Sequence, residues 1–184
     1  MSPVTTASII ALFTLAGPTA AAPPVPRQSP DFIINEPSGK IAQLSSYRGK
    51  VVVIEFFFIR SPKCLTLAQT INKLHRELGP GGFQPVAIAF GPDASQPLVS
   101  QMVQYFKLTY PVGYASPDEV DKYLDRQGNE ILNIPQVVAI DRAGVIRAQS
   151  GAKGSDPRLE NEDALRTLIE SLLKEGPPVS GREK

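Results

Sequence analysis

Nine consecutive residues, Val51-Val-Val-Ile-Glu-Phe-Phe-Phe-Ile59, are β-branched or aromatic apart from a single acid. A strand with one wet face alternates apolar and polar side chains. This run does not alternate, so both of its faces are expected to be buried, as in a central strand with helices on each side of the sheet. Beyond Arg60 the period changes to that of a helix. Leu67, Ala68, Ile71, Leu74 and Leu78 recur on one face until Gly79-Pro80-Gly81-Gly82 stops them. Ser61 is placed to cap that helix and Pro62 to be an early helical residue.

The rest of the chain extends the pattern. Phe32-Ile33-Ile34 and Ile41-Ala42-Gln43-Leu44 flank a Pro37-Ser38-Gly39 turn, which predicts a β-hairpin placed before the main domain. Pro85 to Phe90 reads as a second strand, and Pro97 to Lys107 as a helix. Ser116-Pro117-Asp118-Glu119 has the form of a capping box and opens a short helix through Tyr123. Val137–Ile140 and Val145–Ala148 flank Asp141-Arg-Ala-Gly144 and predict a second hairpin. Glu162 to Lys174 carries Leu165, Leu168, Ile169 and Leu172 at helical spacing. The order of strand, helix, strand, helix, hairpin and helix predicts an α/β domain: a central mixed sheet flanked by helices, with the N-terminal hairpin as an extension.

The chain's 184 residues suffice for one globular domain with a single core. Nineteen basic and 18 acidic residues leave a net charge of +1, which gives no electrostatic basis for nucleic acid as a partner. Residues 7–16 are an apolar run of the length of a signal-peptide core, too short for a good transmembrane helix. Thr19-Ala20-Ala21-Ala22 supplies small residues for cleavage, although no Lys or Arg precedes the run. The expected division is a targeting segment over 1–22, an extended linker over 23–30, a domain over 31–175 and a disordered tail over 176–184. Export to the periplasm or the extracellular space follows, with an uncleaved anchor or a frayed N-terminus as the alternatives. No His, Cys and carboxylate cluster has metal spacing, and no cofactor is expected. Cys64 is the single cysteine. It cannot form an internal disulfide, and is a buried small hydrophobe, a reactive thiol or half of a bond to another molecule.

The residues at this point resemble the TlpA/ResA branch of the thioredoxin superfamily, thiol-disulfide proteins related to the AhpC/TSA redoxins. The resemblance rests on Leu44-Ser-Ser-Tyr-Arg-Gly-Lys-Val-Val-Val before the central strand, Phe56-Phe57 leading to Ser61-Pro62-Lys63-Cys64, Ile134-Pro135 before the Val137 strand, and Ile140-Asp141. It covers roughly residues 30–175 and implies a thioredoxin-like fold. The family's turn reads Trp-Cys-x-x-Cys. Here Arg60 stands where Trp is usual and Ser61 where the first, attacking cysteine is usual, so a mixed disulfide would have no internal thiol to resolve it.

Cys64 lies in the first turn of its helix, where free N–H groups, the helix dipole and the charges of Lys63 and Arg60 favour a thiolate. The other reading is an inert cysteine packed under the helix. Glu55 interrupts the apolar strand and must be paired, protonated or exposed. The resemblance implies that it is a buried proton acceptor for Cys64, while an ion pair with Lys63 or another lysine is the structural alternative. Pro135 matches the family's cis-proline, which implies that Ile134 presents its backbone to a partner. His75 lies about three turns, or roughly 16 Å, along the helix from Cys64, too far for a Cys–His pair, and is expected at the surface.

The catalytic candidates are therefore Cys64 and Glu55, and the binding candidates are Arg60, Ser61, Pro62, Lys63, Ile134 and Pro135. The leading expectation is a monomeric thiol-redox protein that engages a thiol- or disulfide-bearing protein, or a low-molecular-weight thiol, through one sulfur. A peroxiredoxin-like peroxidase using Cys64 and a non-catalytic peptide-binding module of the same fold are the alternatives.

Overall fold

The computed structural model describes residues 24–126, 132–151 and 156–176. The targeting segment and all but the first residue of the expected tail lie outside the described residues.

Eight strands form one sheet: β1 (Arg27–Gln28), β2 (Ile33–Asn35), β3 (Ile41–Gln43), β4 (Val51–Phe57), β5 (Phe83–Ala89), β6 (Val112–Tyr114), β7 (Gln136–Ile140) and β8 (Val145–Gln149). Their spatial order is β1-β8-β7-β4-β5-β6-β2-β3. β4, β5 and β6 run parallel, while β7 lies antiparallel to β4, with Glu55 opposite both Ala87 and Val137. The helices are α1 (Pro62–Leu78), α2 (Gln96–Phe106), α3 (Pro117–Leu124), α4 (Pro157–Glu160) and α5 (Glu162–Lys174).

The unbroken β4 run now has its explanation. Val51, Val53 and Phe57 face one core, built with Leu67, Ile71 and Leu74 of α1 and Leu165, Ile169 and Leu172 of α5. Val52, Ile54 and Phe56 face the other, with Phe32, Ile34 and the α3 residues Val120, Tyr123 and Leu124. Each such side chain contributes about 1.5–3 kcal/mol by leaving water. The strand ends at Phe57 rather than Ile59. Phe90 N–H bonds the Phe57 carbonyl, and the next carbonyl, of Phe58, is taken by Ser61 N–H at 3.0 Å as the chain turns into α1.

Three features were not legible. The N-terminal hairpin is not set before the domain: Asn35 pairs with Tyr114, so β2 and β3 complete one edge of the main sheet. Residues 27–28, expected within a linker, are extended but pair with β8 at the other edge. β6 has only three residues. Its central Gly113 lets β2 approach, since a Cβ there would lie 3.1 Å from the Asn35 carbonyl oxygen. The capping box of α3 is present, with Ser116 and Glu119 bonding reciprocally.

Candidate functional site

The strict alternation along β4 puts Glu55 on the same face as Val53 and Phe57, the face covered by α1. Glu55 is 0% exposed. Neither carboxylate oxygen has a hydrogen-bond partner among the described residues. Burial alone pushes its carboxyl well above the usual carboxylate range, which favours the protonated form. The expected ion pair with Lys63 does not form, because Lys63 Nζ lies 2.8 Å from Glu160 Oε2 instead.

The turn that follows β4 is built as its residues dictate. Ser61 is extended (φ −86°, ψ 113°) and is the N-cap of α1, with its hydroxyl accepting from Cys64 N–H at 3.4 Å. Pro62 opens the helix without a wasted donor. Cys64 is a free thiol with 0% exposure, packed among the side chains of the α1 core. The helix start alone would favour a thiolate, yet burial dominates and pushes the Cys64 thiol above its ordinary value. Hydrogen bonds involving Ser61 and the Phe58 backbone, and the Lys63 charge, act in the opposite direction, whereas the Glu55 charge adds to the rise. Of the two readings of Cys64, burial acts against the lowered thiol: a sulfur without solvent contact gains less from the helix dipole than it loses in hydration.

Both cations of the turn are held by acids from other elements. Arg60 Nε is 2.9 Å from Asp93 Oδ2, in the loop after β5, and Lys63 is bound to the last residue of α4. Neither acid was singled out from the sequence, since Asp93 is 33 and Glu160 is 97 positions away and no local pattern marks them. Around the turn lie two hollows. One of about 390 Å³ is lined by Ile59, Arg60, Leu65, Leu98, Met102 and Phe106. The other, of about 290 Å³, has Phe58, Ser61, Phe90, Pro92 and Asp93 along it.

Gln136 lies opposite Phe56, which sets Ile134 and Pro135 beside the chain as it leaves β4. The Ile134–Pro135 peptide bond is cis. Pro135 is buried, and half-buried Ile134 packs against both cores, including the one that contains Cys64. Gln136, 1% exposed, holds this segment by donating to the carbonyls of Asn133 (2.6 Å) and Gly151 (3.2 Å). A glutamine ahead of an apolar strand carries no sequence signal for that role. His75 is half-buried rather than at the surface: it shares a hydrogen bond with Thr109 at 2.9 Å and packs edge-on against Phe83 and Tyr110. Among the described residues no group of three or more His, Cys, Asp or Glu could hold a metal ion.

The family model for Redoxin matches residues 25–168. This chain belongs to the Redoxin family. Among curated proteins this redoxin is similar to the thiol-disulfide oxidoreductase ResA of Bacillus thuringiensis subsp. konkukian (strain 97-27), at 22% identity over 142 residues, 77% of each chain. The same figures hold for ResA of Bacillus cereus (strain ATCC 10987 / NRS 248). Among solved structures it is similar to a thiol:disulfide interchange protein of the thioredoxin family from Chlorobium tepidum TLS. The TM-score is 0.68 at 22% identity, over 83% of this chain and 99% of that one. A thiol:disulfide interchange protein from Bacteroides sp. matches with a TM-score of 0.64 at 16% identity, over 86% and 94% of the two chains. The fold is thioredoxin-like, a mixed sheet between helices, and the resemblance to the TlpA/ResA branch holds.

Proposed function

We propose that this redoxin is a thiol-disulfide protein that works through Cys64 alone, one sulfur at a time. The observation that carries the reading is Glu55, a fully buried carboxyl with no hydrogen-bond partner among the described residues, whose charge, when it ionises, acts on Cys64. An unpaired buried acid costs stability. A scaffold gains nothing from it, whereas a thiol that must lose its proton inside a core does. Once ionised, Glu55 takes the Cys64 proton. The thiolate attacks one sulfur of a partner's disulfide, forms a mixed disulfide and expels the partner's other sulfur as a thiolate. An external thiol then attacks the mixed disulfide and returns Cys64 to its reduced form. Ser61 leaves no internal route for that second step.

Partners are thiol- or disulfide-bearing proteins or a low-molecular-weight thiol, received over Arg60, Ser61, Pro62 and Lys63 against Ile134 and Pro135. The apolar run over residues 7–16 supports export, to the periplasm or the extracellular space, and the working form is a monomer. The test is incubation of the full chain with glutathione disulfide between pH 7 and 9. A single glutathione adduct at Cys64, formed faster as pH rises and slowed by Glu55→Gln, is expected. No adduct at pH 9 after hours would end this reading.

The zero exposure of Cys64 favours one second reading, a module that holds a partner peptide against Pro135 without turnover. A partner bound equally by the wild-type chain and by Cys64→Ala would select it. A peroxidase role would draw on the same Cys64 thiolate, and rapid peroxide consumption with sulfenic acid forming at Cys64 would select it.

A further inference from the structure

The charges around the turn are arranged so that the cation nearest to Cys64 in sequence is already spoken for. Lys63 precedes Cys64 directly, and its ammonium group meets Glu160 Oε2 at 2.8 Å. The two partners are unequally placed: the Lys63 side chain is 55% exposed and that of Glu160 only 13%. The other oxygen of Glu160 is buried with no hydrogen-bond partner among the described residues. α4, which carries this acid, is fixed in place. Its Leu159 is 0% exposed, the Asp156 carboxylate caps its start by accepting from Arg158 N–H at 2.9 Å, and Asn161 N–H bonds the Pro157 carbonyl. A partly desolvated carboxylate aimed at one exposed lysine is a poor device for stability, since such pairs contribute at most about 1 kcal/mol.

We propose that Glu160 is a positioning residue for the sulfur chemistry: by holding the Lys63 ammonium on α4 it offsets the one cation in the first turn of α1 and so restrains the reactivity of Cys64 at rest. The proposal rests on the single-sulfur reading above and names the residue that restrains that site. The groups that face Cys64 are Glu55 from β4 and Lys63 from its own helix, with Ser61 and the Phe58 backbone as hydrogen-bonding neighbours. Tyr110, in the segment before β6, faces Glu55 and donates to the Ala68 carbonyl. Arg60, on the far side of Ser61, is held by Asp93. Of these charges only that of Lys63 is set by Glu160.

The test is the pH profile of iodoacetamide labelling of Cys64 in the full chain, followed by mass spectrometry from pH 6 to 10. Removing the acid with Glu160→Gln leaves the Lys63 charge unmatched, so labelling at pH 8 is expected to quicken about two- to fivefold and the profile to move to lower pH. Lys63→Gln bares the carboxylate of Glu160, and labelling is expected to slow by a similar factor. The double variant returns to the wild-type profile, and Glu160→Asp restores it in part. A role in folding alone moves Glu160→Gln and Lys63→Gln in the same direction, so opposite signs with cancellation are the signature. Profiles that coincide in all four chains, or shifts of one sign, would overturn the proposal while leaving the single-sulfur reading intact. A wild-type Cys64 that labels at no pH while the chain stays folded would overturn both.

Discussion

Replacing Glu55 with leucine should make this protein more stable, and increasingly so as pH rises. The side chain is 0% exposed, and both of its oxygens lack a hydrogen-bond partner among the described residues. Mutational data place the cost of burying such a polar group at roughly 1–3 kcal/mol, and leucine of similar volume removes that cost. The pH dependence has a definite sign. Burial raises the folded-state value of the carboxyl well above its ordinary 4.5. Between those two values the folded chain holds a proton that the unfolded chain has lost, so stability falls as pH rises, by at most about 1.4 kcal/mol per pH unit. The window opens near pH 4.5 and closes at the raised folded value. Glu55→Gln, neutral throughout, should lose the slope while keeping part of the polar cost. Urea unfolding of the three full-length chains, followed by circular dichroism under reducing conditions at pH 5, 6, 7 and 8, measures the differences directly. Comparing chains at each pH also cancels His75, whose depressed value makes wild-type stability fall in the other direction, towards acid. A Glu55→Leu chain less stable than wild type at every pH, or a wild-type-to-variant difference that does not grow from pH 5 to 8, would refute the assignment of Glu55 as a buried unpaired acid.

Three further outcomes are expected. Ser61→Cys places a second sulfur at the N-cap position, whose side chain already reaches the Cys64 amide at 3.4 Å; turnover in an insulin-reduction assay with dithiothreitol should rise above the wild-type baseline, and no rise would show that the turn no longer accepts a dithiol. Phe56→Ala empties a site packed between Phe32 and Tyr123 at centroid distances of 5.7 and 5.3 Å, and should cost about 3–5 kcal/mol by chemical denaturation. Burial, aided by the Lys50 charge, depresses the His75 ring below its ordinary 6.5. Its folded form therefore resists protonation, and the stability this contributes, present above pH 6.5, is lost as pH falls through the window below it; His75→Gln should flatten the acid limb of a plot of urea midpoint against pH.

The resemblance to a thioredoxin-like redoxin could be read from short-range features, because each rests on local chemistry. A run with no alternation signals two buried faces, Ser61-Pro62 signals a helix start, and Ser116 with Glu119 signals a capping box. The site was legible only as a set of candidates. Cys64 could be reactive or inert on sequence grounds, because the choice depends on hydration and so on what α1 packs against. His75 was misjudged for the same reason, since a histidine on a polar-looking helix face reads as exposed until Phe83 and Tyr110 cover it.

By itself the chain determined that its central strand is buried on both sides, that α1 begins just after Ser61 and that Cys64 is the single cysteine. These follow from neighbours in the sequence. Only the tertiary structure decided that Glu55 lies unpaired on the Cys64 face, that Lys63 turns to Glu160 and Arg60 to Asp93, and that the first hairpin joins the sheet beside β6. The ion pairs and the strand pairing join residues tens of positions apart, and even Glu55 and Cys64 meet only because α1 folds back over β4, so packing and not local propensity sets these contacts.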